Sequence, residues 1–163
     1  MSADRASAGA VAERWIERTL ASYPAGAVHG LLGERDPFRN PAGHAIREGL
    51  AVLARELLGG MDEKAMAPAL DAVVRLRAVQ GFRPSEALGF VFDLRAIMVE
   101  TAGAETADTE TAAQAPPDLD GRIDRLALMA FDQYMACREQ IAGLREKELR
   151  KRLQYAAASR IEP

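Results

Sequence analysis

Two arginines have the type and spacing that could support ligand chemistry, because each interrupts a helical stripe of apolar residues. Arg77 and Arg95 follow their neighbours at the three- and four-residue intervals that place side chains on one helix face. The stripe of Arg77 holds Met66, Leu70 and Val73, and that of Arg95 holds Leu88, Phe92 and Val99. A guanidinium on a core-facing stripe requires a carboxylate or an anionic ligand.

The carboxylates that could satisfy these arginines are Asp93, Asp124 and Asp132. The simpler interpretation is a structural ion pair, or an arginine whose stem lies along apolar surface. The alternative is an interhelical pocket in which a carrier or an enzyme binds a small anion. Arg77, Asp93 and Arg95 are therefore the candidate ligand or ion-pair residues.

No other residue pattern indicates catalysis, metal binding or a cofactor. His29 and His44 belong to no Glu-x-x-His element, and the glycines form no phosphate-binding loop. No histidine follows His44, whereas a globin's proximal histidine lies on a later helix. Cys137 falls on the apolar side of a helix, which favours a buried small side chain over a reactive thiol. We expect a protein without haem, flavin or transition metal.

Composition narrows the class of protein further. The 163 residues fit one domain, and 48% apolar with 28% charged residues predicts a folded core. A net charge of −3 argues against nucleic acid and anionic membranes as partners. A single cysteine, no signal peptide and no apolar run of roughly 18–20 residues indicate a cytoplasmic chain with no membrane insertion.

The elements that must position these residues are helices, because alternating patterns typical of strands are almost absent. Asn40 has the character of an N-terminal cap with Pro41 at the first helical position, and further helices begin at Asp62 and at Pro84. Residues 25–39 are predicted to be loop with one short turn at 28–32. Five main helices are expected, over residues 7–22, 41–58, 62–81, 84–102 and 119–158. The fold class is all-α, a single domain that is globin-like or a helical bundle.

The helix predicted over residues 84–102 is apolar around most of its circumference. A helix of that kind is surrounded by others, so it should be the most buried element, with Phe92 and Leu94 inaccessible. Gly89 and Ala96 on its small-residue row would allow another helix to cross closely.

Residues 103–117 lack any large apolar side chain and are predicted to form a mobile linker. The helix after this linker would be about 60 Å long, whereas a domain of this size is only about 30–35 Å across. Residues 145–163 should therefore project as a charged helical tail.

A projecting helix with few apolar residues either pairs with a copy of itself or frays. We expect a homodimer in which the last helix makes the contact; the alternative is a solvated helix in a monomer. The candidate interface residues are Tyr134, Ile141, Leu144, Leu149 and Leu153.

Four stretches resemble a known family. Residues 75–95 contain Arg-Ala-Val-Gln-Gly-Phe and Asp-Leu-Arg elements, and residues 36–41 read Asp-Pro-Phe-Arg-Asn-Pro. Trp15 with the Tyr23-Pro24 pair and residues 122–134 add to the likeness. Together they resemble the N-terminal input domain of the RsbT co-antagonist proteins of the RsbRD type.

The resemblance implies a sensory, non-enzymatic helical domain that dimerises and passes a signal to a partner. In better known co-antagonists the input domain is similar to a globin without haem and precedes a STAS domain with phosphorylatable threonines. This sequence ends at Pro163 without a strand-rich segment. As a stand-alone input domain it would act through another protein chain, whose identity the resemblance does not give.

Overall fold

A computed structural model of the chain describes residues 2–104 and 115–158. The described part is all-α, as predicted, and contains no strand. Its helices are α1 (Ser2–Ala21), α2 (Ala25–Gly33), α3 (Pro41–Leu58), α4 (Glu63–Val79), α5 (Pro84–Ala104) and α6 (Leu119–Ala158). The long C-terminal helix has the predicted bounds.

The helices enclose one hydrophobic core. α4 packs against α3, α5 and α6, while α1 closes the other side by packing on α3 and α5. Trp15 anchors α1, because its indole N–H donates to the Phe90 carbonyl at 2.6 Å and its ring stacks on that of Phe90. The largest fully buried apolar side chains include Trp15, Leu20, Ile46, Leu50, Leu53, Leu57, Met66, Leu70, Leu94 and Ile97.

The predicted helix starts are confirmed by their hydrogen bonds. The Asn40 side chain accepts from the Gly43 N–H at 2.8 Å, and Pro41 follows at the first helical position. Asp62 accepts from the N–H groups of Lys64 and Ala65 at the start of α4. Local sequence therefore determines where these two helices begin.

The end of α4 is a Schellman motif built on a left-handed glycine. Gly81 has φ of 82°, a conformation that a side chain would disfavour. The Phe82 N–H donates to the Arg77 carbonyl and the Gly81 N–H to the Ala78 carbonyl. This motif turns the chain so that Phe82 lies back against Arg77, with 5.1 Å between the guanidinium carbon and the ring centroid.

The prediction of loop over residues 25–39 is wrong for its first part, because Ala25–Gly33 forms the nine-residue helix α2. Side chains from α3 satisfy the carbonyls at the end of α2. The Asn40 amide donates to the carbonyls of Gly30, Leu31 and Glu34, and Arg47 donates to that of Leu31 at 3.1 Å. These partners lie up to 16 residues away, so local helix propensity did not reveal them. The helix count is six in the described part, not five.

α3 and α4 cross closely at Gly49. A Cβ added to Gly49 would lie 2.8 Å from the Ala69 carbonyl oxygen and 2.9 Å from a Val73 methyl carbon, so only glycine fits. The crossing expected at Gly89 and Ala96 is not found: a Cβ on Gly89 would meet nothing within 4 Å, and Ala96 is exposed.

The prediction that α5 is surrounded by other helices, with Phe92 inaccessible, is wrong. Leu94 is fully buried as expected, but Phe92 is 47% exposed. α5 contacts α1, α4 and α6 on three sides, and the row containing Phe92 and Val99 faces outward. An apolar row therefore marks a surface here rather than a fourth helix contact.

The predicted linker falls mainly outside the described residues. Residues 103 and 104 belong to α5, residues 115–118 lead into α6, and residues 105–114 are not described. Of the predicted tail, residues 159–163 are likewise outside the described part.

Because Leu94 is buried and Phe92 is half-exposed, truncating these two side chains of α5 should lower the free energy of unfolding by different amounts. Leu94→Ala should lower the free energy of unfolding by about 3 kcal/mol, because it leaves a cavity in the core. Phe92→Ala should cost less than about 1 kcal/mol, because half of the ring is already in water. Urea unfolding at low protein concentration measures both, and equal losses would contradict this placement.

Candidate functional site

Arg77 is fully buried where α1, α4 and α5 meet. One terminal nitrogen donates to the Glu86 carbonyl at 3.0 Å and the Ala87 carbonyl at 3.4 Å. The other donates to the Thr19 carbonyl at 3.1 Å and to the Ser22 hydroxyl. Each interaction satisfies a backbone or hydroxyl oxygen at a helix end, so Arg77 joins three helices.

Three aromatic rings enclose the Arg77 guanidinium. The ring centroids of Tyr23, Phe82 and Phe90 lie 5.0, 5.1 and 5.3 Å from its central carbon, within range of cation–π attraction. Burial raises the pKa of the Tyr23 hydroxyl, and the Arg77 charge partly offsets that shift. Among the described residues no carboxylate pairs with Arg77; carbonyls and rings stabilise its charge instead.

Asp93 lies half-buried on α5, within electrostatic range of Arg77. Burial raises the pKa of its carboxyl, while the charges of Arg18 and Arg77 act in the opposite direction. Within the described chain no hydrogen bond joins Asp93 to Arg77 or Arg95, and Arg18 pairs with Glu100 at 2.9 Å. The three candidate residues therefore do not converge on one pocket.

Arg95 instead bridges α5 and α6 at the surface. Its Nε donates to Asp120 at 2.9 Å and a terminal nitrogen to Asp124 at 2.5 Å. These hydrogen bonds raise the pKa of the guanidinium. Asp124 was a predicted partner and Asp120 was not, while Asp132 is exposed. The predicted position of Arg95 on a core-facing stripe is wrong, because Phe92 and Val99 on the same stripe are exposed.

α5 and α6 run antiparallel beside each other. Arg95 meets Asp120 and Asp124 early in α6, while the Tyr134 hydroxyl donates at 2.7 Å to the Phe82 carbonyl just before α5. Both helices carry an apolar row that faces outward. We name these two rows together the α5–α6 face; it consists of Phe92 and Val99 on α5 and of Leu128, Phe131 and Met135 on α6, all exposed by at least 40%.

A groove of about 530 Å³ lies beside this face, between the end of α5 and the start of α6. Its lining includes Met98, Val99 and Leu119, with Arg95 and Asp120 at its edge. Because two carboxylates already neutralise Arg95, the groove offers an anion little attraction. The arrangement favours apolar contact over recognition of a charged small molecule.

The second half of α6 extends from the body. From residue 142 to 157 none of its described side chains is buried. Leu149 is 58% and Leu153 70% exposed. Ion pairs between residues four apart, Arg150 with Glu146 and Arg152 with Glu148, line this segment.

The predicted interface residues divide into two groups. Leu144, Leu149 and Leu153 are exposed. Tyr134 is 2% exposed and belongs to the core, and Ile141 is partly buried against it. Three further exposed apolar residues of α6 were not predicted, although their three- and four-residue spacing was a visible signal: Leu128, Phe131 and Met135.

The remaining reactive side chains have ordinary surroundings. Cys137 is buried in the core, and His44 lies 3.3 Å from Glu48, one turn further along α3. In the described ranges, no three His, Cys, Asp or Glu side chains are grouped so that they could hold a metal ion. No described helix has the length and apolar character needed to cross a membrane.

These features define an all-α domain whose buried arginine is committed to helix packing and whose distinctive surface is apolar. Residues 9–149 match the family described as the RsbT co-antagonist protein RsbRD N-terminal domain. The chain belongs to this family, as the sequence resemblance indicated.

The chain is also similar to a protein of Archaeoglobus fulgidus described as uncharacterized. The two are 27% identical over 157 residues, which cover 91% of this chain and 93% of the relative. No solved structure matches the chain.

The Arg77 cluster predicts a large loss of stability on substitution. Arg77→Met should lower the free energy of unfolding by about 3 kcal/mol, because it removes the hydrogen bonds by which one buried side chain joins α1, α4 and α5. Urea unfolding followed by the fluorescence of Trp15, the only tryptophan, measures the loss. Arg75→Met, on the exposed side of α4, is the matched control and should change stability little. Equal effects would contradict the role given to Arg77.

Proposed function

We propose that the chain is a non-enzymatic regulatory domain of stress signalling, which acts as a homodimer and passes its signal through α6 to a partner protein. Membership of the RsbRD N-terminal domain family supports the regulatory class. The observation that carries the proposal is the exposed second half of α6, which extends an apolar edge formed by Leu149 and Leu153 away from the body. A helix of this kind can pair with another helix and transmit a shift of its position.

The alternative, a carrier or enzyme for a small anion, has less support. It required Arg77, Asp93 and Arg95 to share a pocket. Arg77 is enclosed by carbonyls and rings, and Arg95 is held by two carboxylates. Arg77 is inaccessible to an anion, and two carboxylates already balance the charge of Arg95.

Self-association is the first part of the proposal to test. Light scattering should give twice the monomer mass of 17.6 kDa for the full chain. A chain ending at Leu144 should stay folded, because residues 145–157, the part of the removed segment whose side chains are described, are all exposed; it should dimerise more weakly. A monomeric full chain would refute the homodimer. A dimer that is unchanged after truncation would show that the contact lies on the part of α6 that packs on the body.

Binding of a partner protein is the second part of the proposal to test. Tagged full-length protein recovered from its native host should retain a discrete protein partner, and the chain ending at Leu144 should lose it. Equal recovery by both chains would contradict transmission through the end of α6. Recovery of no protein by the full chain would contradict the signalling role.

A further inference from the structure

The projecting part of α6, residues 142–157, carries a charge opposite to that of the rest of the chain. It contains five arginines and lysines and two glutamates, so its net charge is +3. The whole chain carries −3, which leaves −6 for the remaining residues. None of the described side chains in this projecting part is buried. A basic, exposed segment on an acidic protein favours a partner of negative charge.

One side of this projecting helix combines two lysines with two large apolar side chains. The four residues follow one another at intervals of three, four and four positions, which places them along one side of a helix: Leu144, Lys147, Lys151 and Tyr155. We name them the lysine face. Leu144 is 66% and Tyr155 77% exposed. The face therefore offers two apolar anchors with positive charge between them.

The lysine face points away from the apolar edge that we assign to the homodimer. Lys151 lies two positions from both Leu149 and Leu153, which is roughly 160° around the helix. A homodimer paired through that edge leaves the lysine face of each copy open to a further protein.

The two lysines differ from the neighbouring arginines because they lack a counter-charge. Arg150 and Arg152 are paired with the glutamates four positions before them, at 2.6 and 2.5 Å. Within the described ranges, neither Lys147 nor Lys151 forms an ion pair. Like charges four positions apart repel each other on an isolated helix. Carboxylates on a bound surface would relieve this repulsion, so the lysine face is complementary to an acidic partner.

We infer that the lysine face docks on an acidic surface of the partner protein, where carboxylates lie between two apolar pockets. Leu144 and Tyr155 are eleven positions apart, so the two pockets should be separated by roughly 16 Å along the helix axis. Aromatic side chains are enriched among the residues that dominate protein–protein binding, and helices commonly bind in grooves through such spaced anchors. The inference rests on the proposed function and names the face and the chemistry by which the partner is bound.

An anionic membrane has the same sign of charge but fits this face less well. A helix that lies in a membrane interface buries a continuous apolar face, whereas here the lysines separate Leu144 from Tyr155. The remainder of the chain, with its charge of −6, would also be repelled by anionic lipid. The observations therefore favour an acidic protein surface.

Binding of the full-length chain to an acidic polypeptide tests this chemistry. The probe is an immobilised copolymer of glutamate and tyrosine, and a copolymer of lysine and tyrosine is its control. The chain should bind only the glutamate copolymer, and more weakly as the salt concentration rises. The double variant Lys147→Glu/Lys151→Glu should weaken this binding at least ~10-fold.

The matched control is Arg145→Glu/Arg150→Glu, which makes the same change of charge on the same segment but off the lysine face. It should weaken binding less than ~3-fold. Equal losses in the two double variants would overturn the assigned face, because they would indicate attraction to charge anywhere on the segment. Binding to phosphatidylglycerol vesicles without binding to the glutamate copolymer would overturn the acidic protein partner and assign the face to lipid.

Two further measurements separate this inference from the proposed function. Light scattering should give Lys147→Glu/Lys151→Glu the same mass as the unsubstituted chain; a monomer would place these lysines in the dimer contact and overturn the inference. In recovery from the native host, the same variant should lose the partner protein, as the chain ending at Leu144 does. A partner that this variant keeps and the truncated chain loses would refute the lysine face and leave transmission through α6 intact.

Discussion

The interaction on which the fold depends is the burial of one guanidinium without a carboxylate. Arg77 lies on α4 and donates hydrogen bonds to the Thr19 carbonyl of α1 and to the Glu86 and Ala87 carbonyls of α5. Removing a cation from water is costly, and the charge is tolerated because several partial negative charges and ring faces surround it. The three helices must therefore meet in one geometry, since a small displacement would leave buried groups unpaired.

That requirement explains why Arg77 is unsuited to ligand binding. Its donors point at main-chain oxygens whose positions are fixed by helix ends, and the Gly81 turn brings the Phe82 ring over it. An incoming anion would have to displace packed aromatic rings. In contrast Arg95 lies at the surface, where Asp120 and Asp124 align α5 with α6 and leave the neighbouring apolar row uncovered.

The sequence allowed prediction of features that depend on neighbours along the chain. The caps at Asn40 and Asp62 and the 40-residue α6 follow from local chemistry and an uninterrupted pattern. Features decided by distant partners were missed. Asn40 and Arg47 stabilise α2 by donating hydrogen bonds to the carbonyls at its end. No periodicity within residues 25–39 predicts these hydrogen bonds.

Phe92 shows why the site was harder to predict than the fold. Hydrophobic periodicity reports which residues avoid water, but a protein core and a surface awaiting a partner give the same signal. α5 has apolar rows on two sides, of which the one with Leu94 faces the core and the one with Phe92 does not. The same ambiguity affected Arg95. Its apolar stripe indicated burial, whereas its ion pairs with Asp120 and Asp124 are exposed to solvent. A charged residue can interrupt an apolar stripe because it pairs with a residue of a neighbouring helix. Such a stripe therefore indicates an exposed helix face as readily as a buried one.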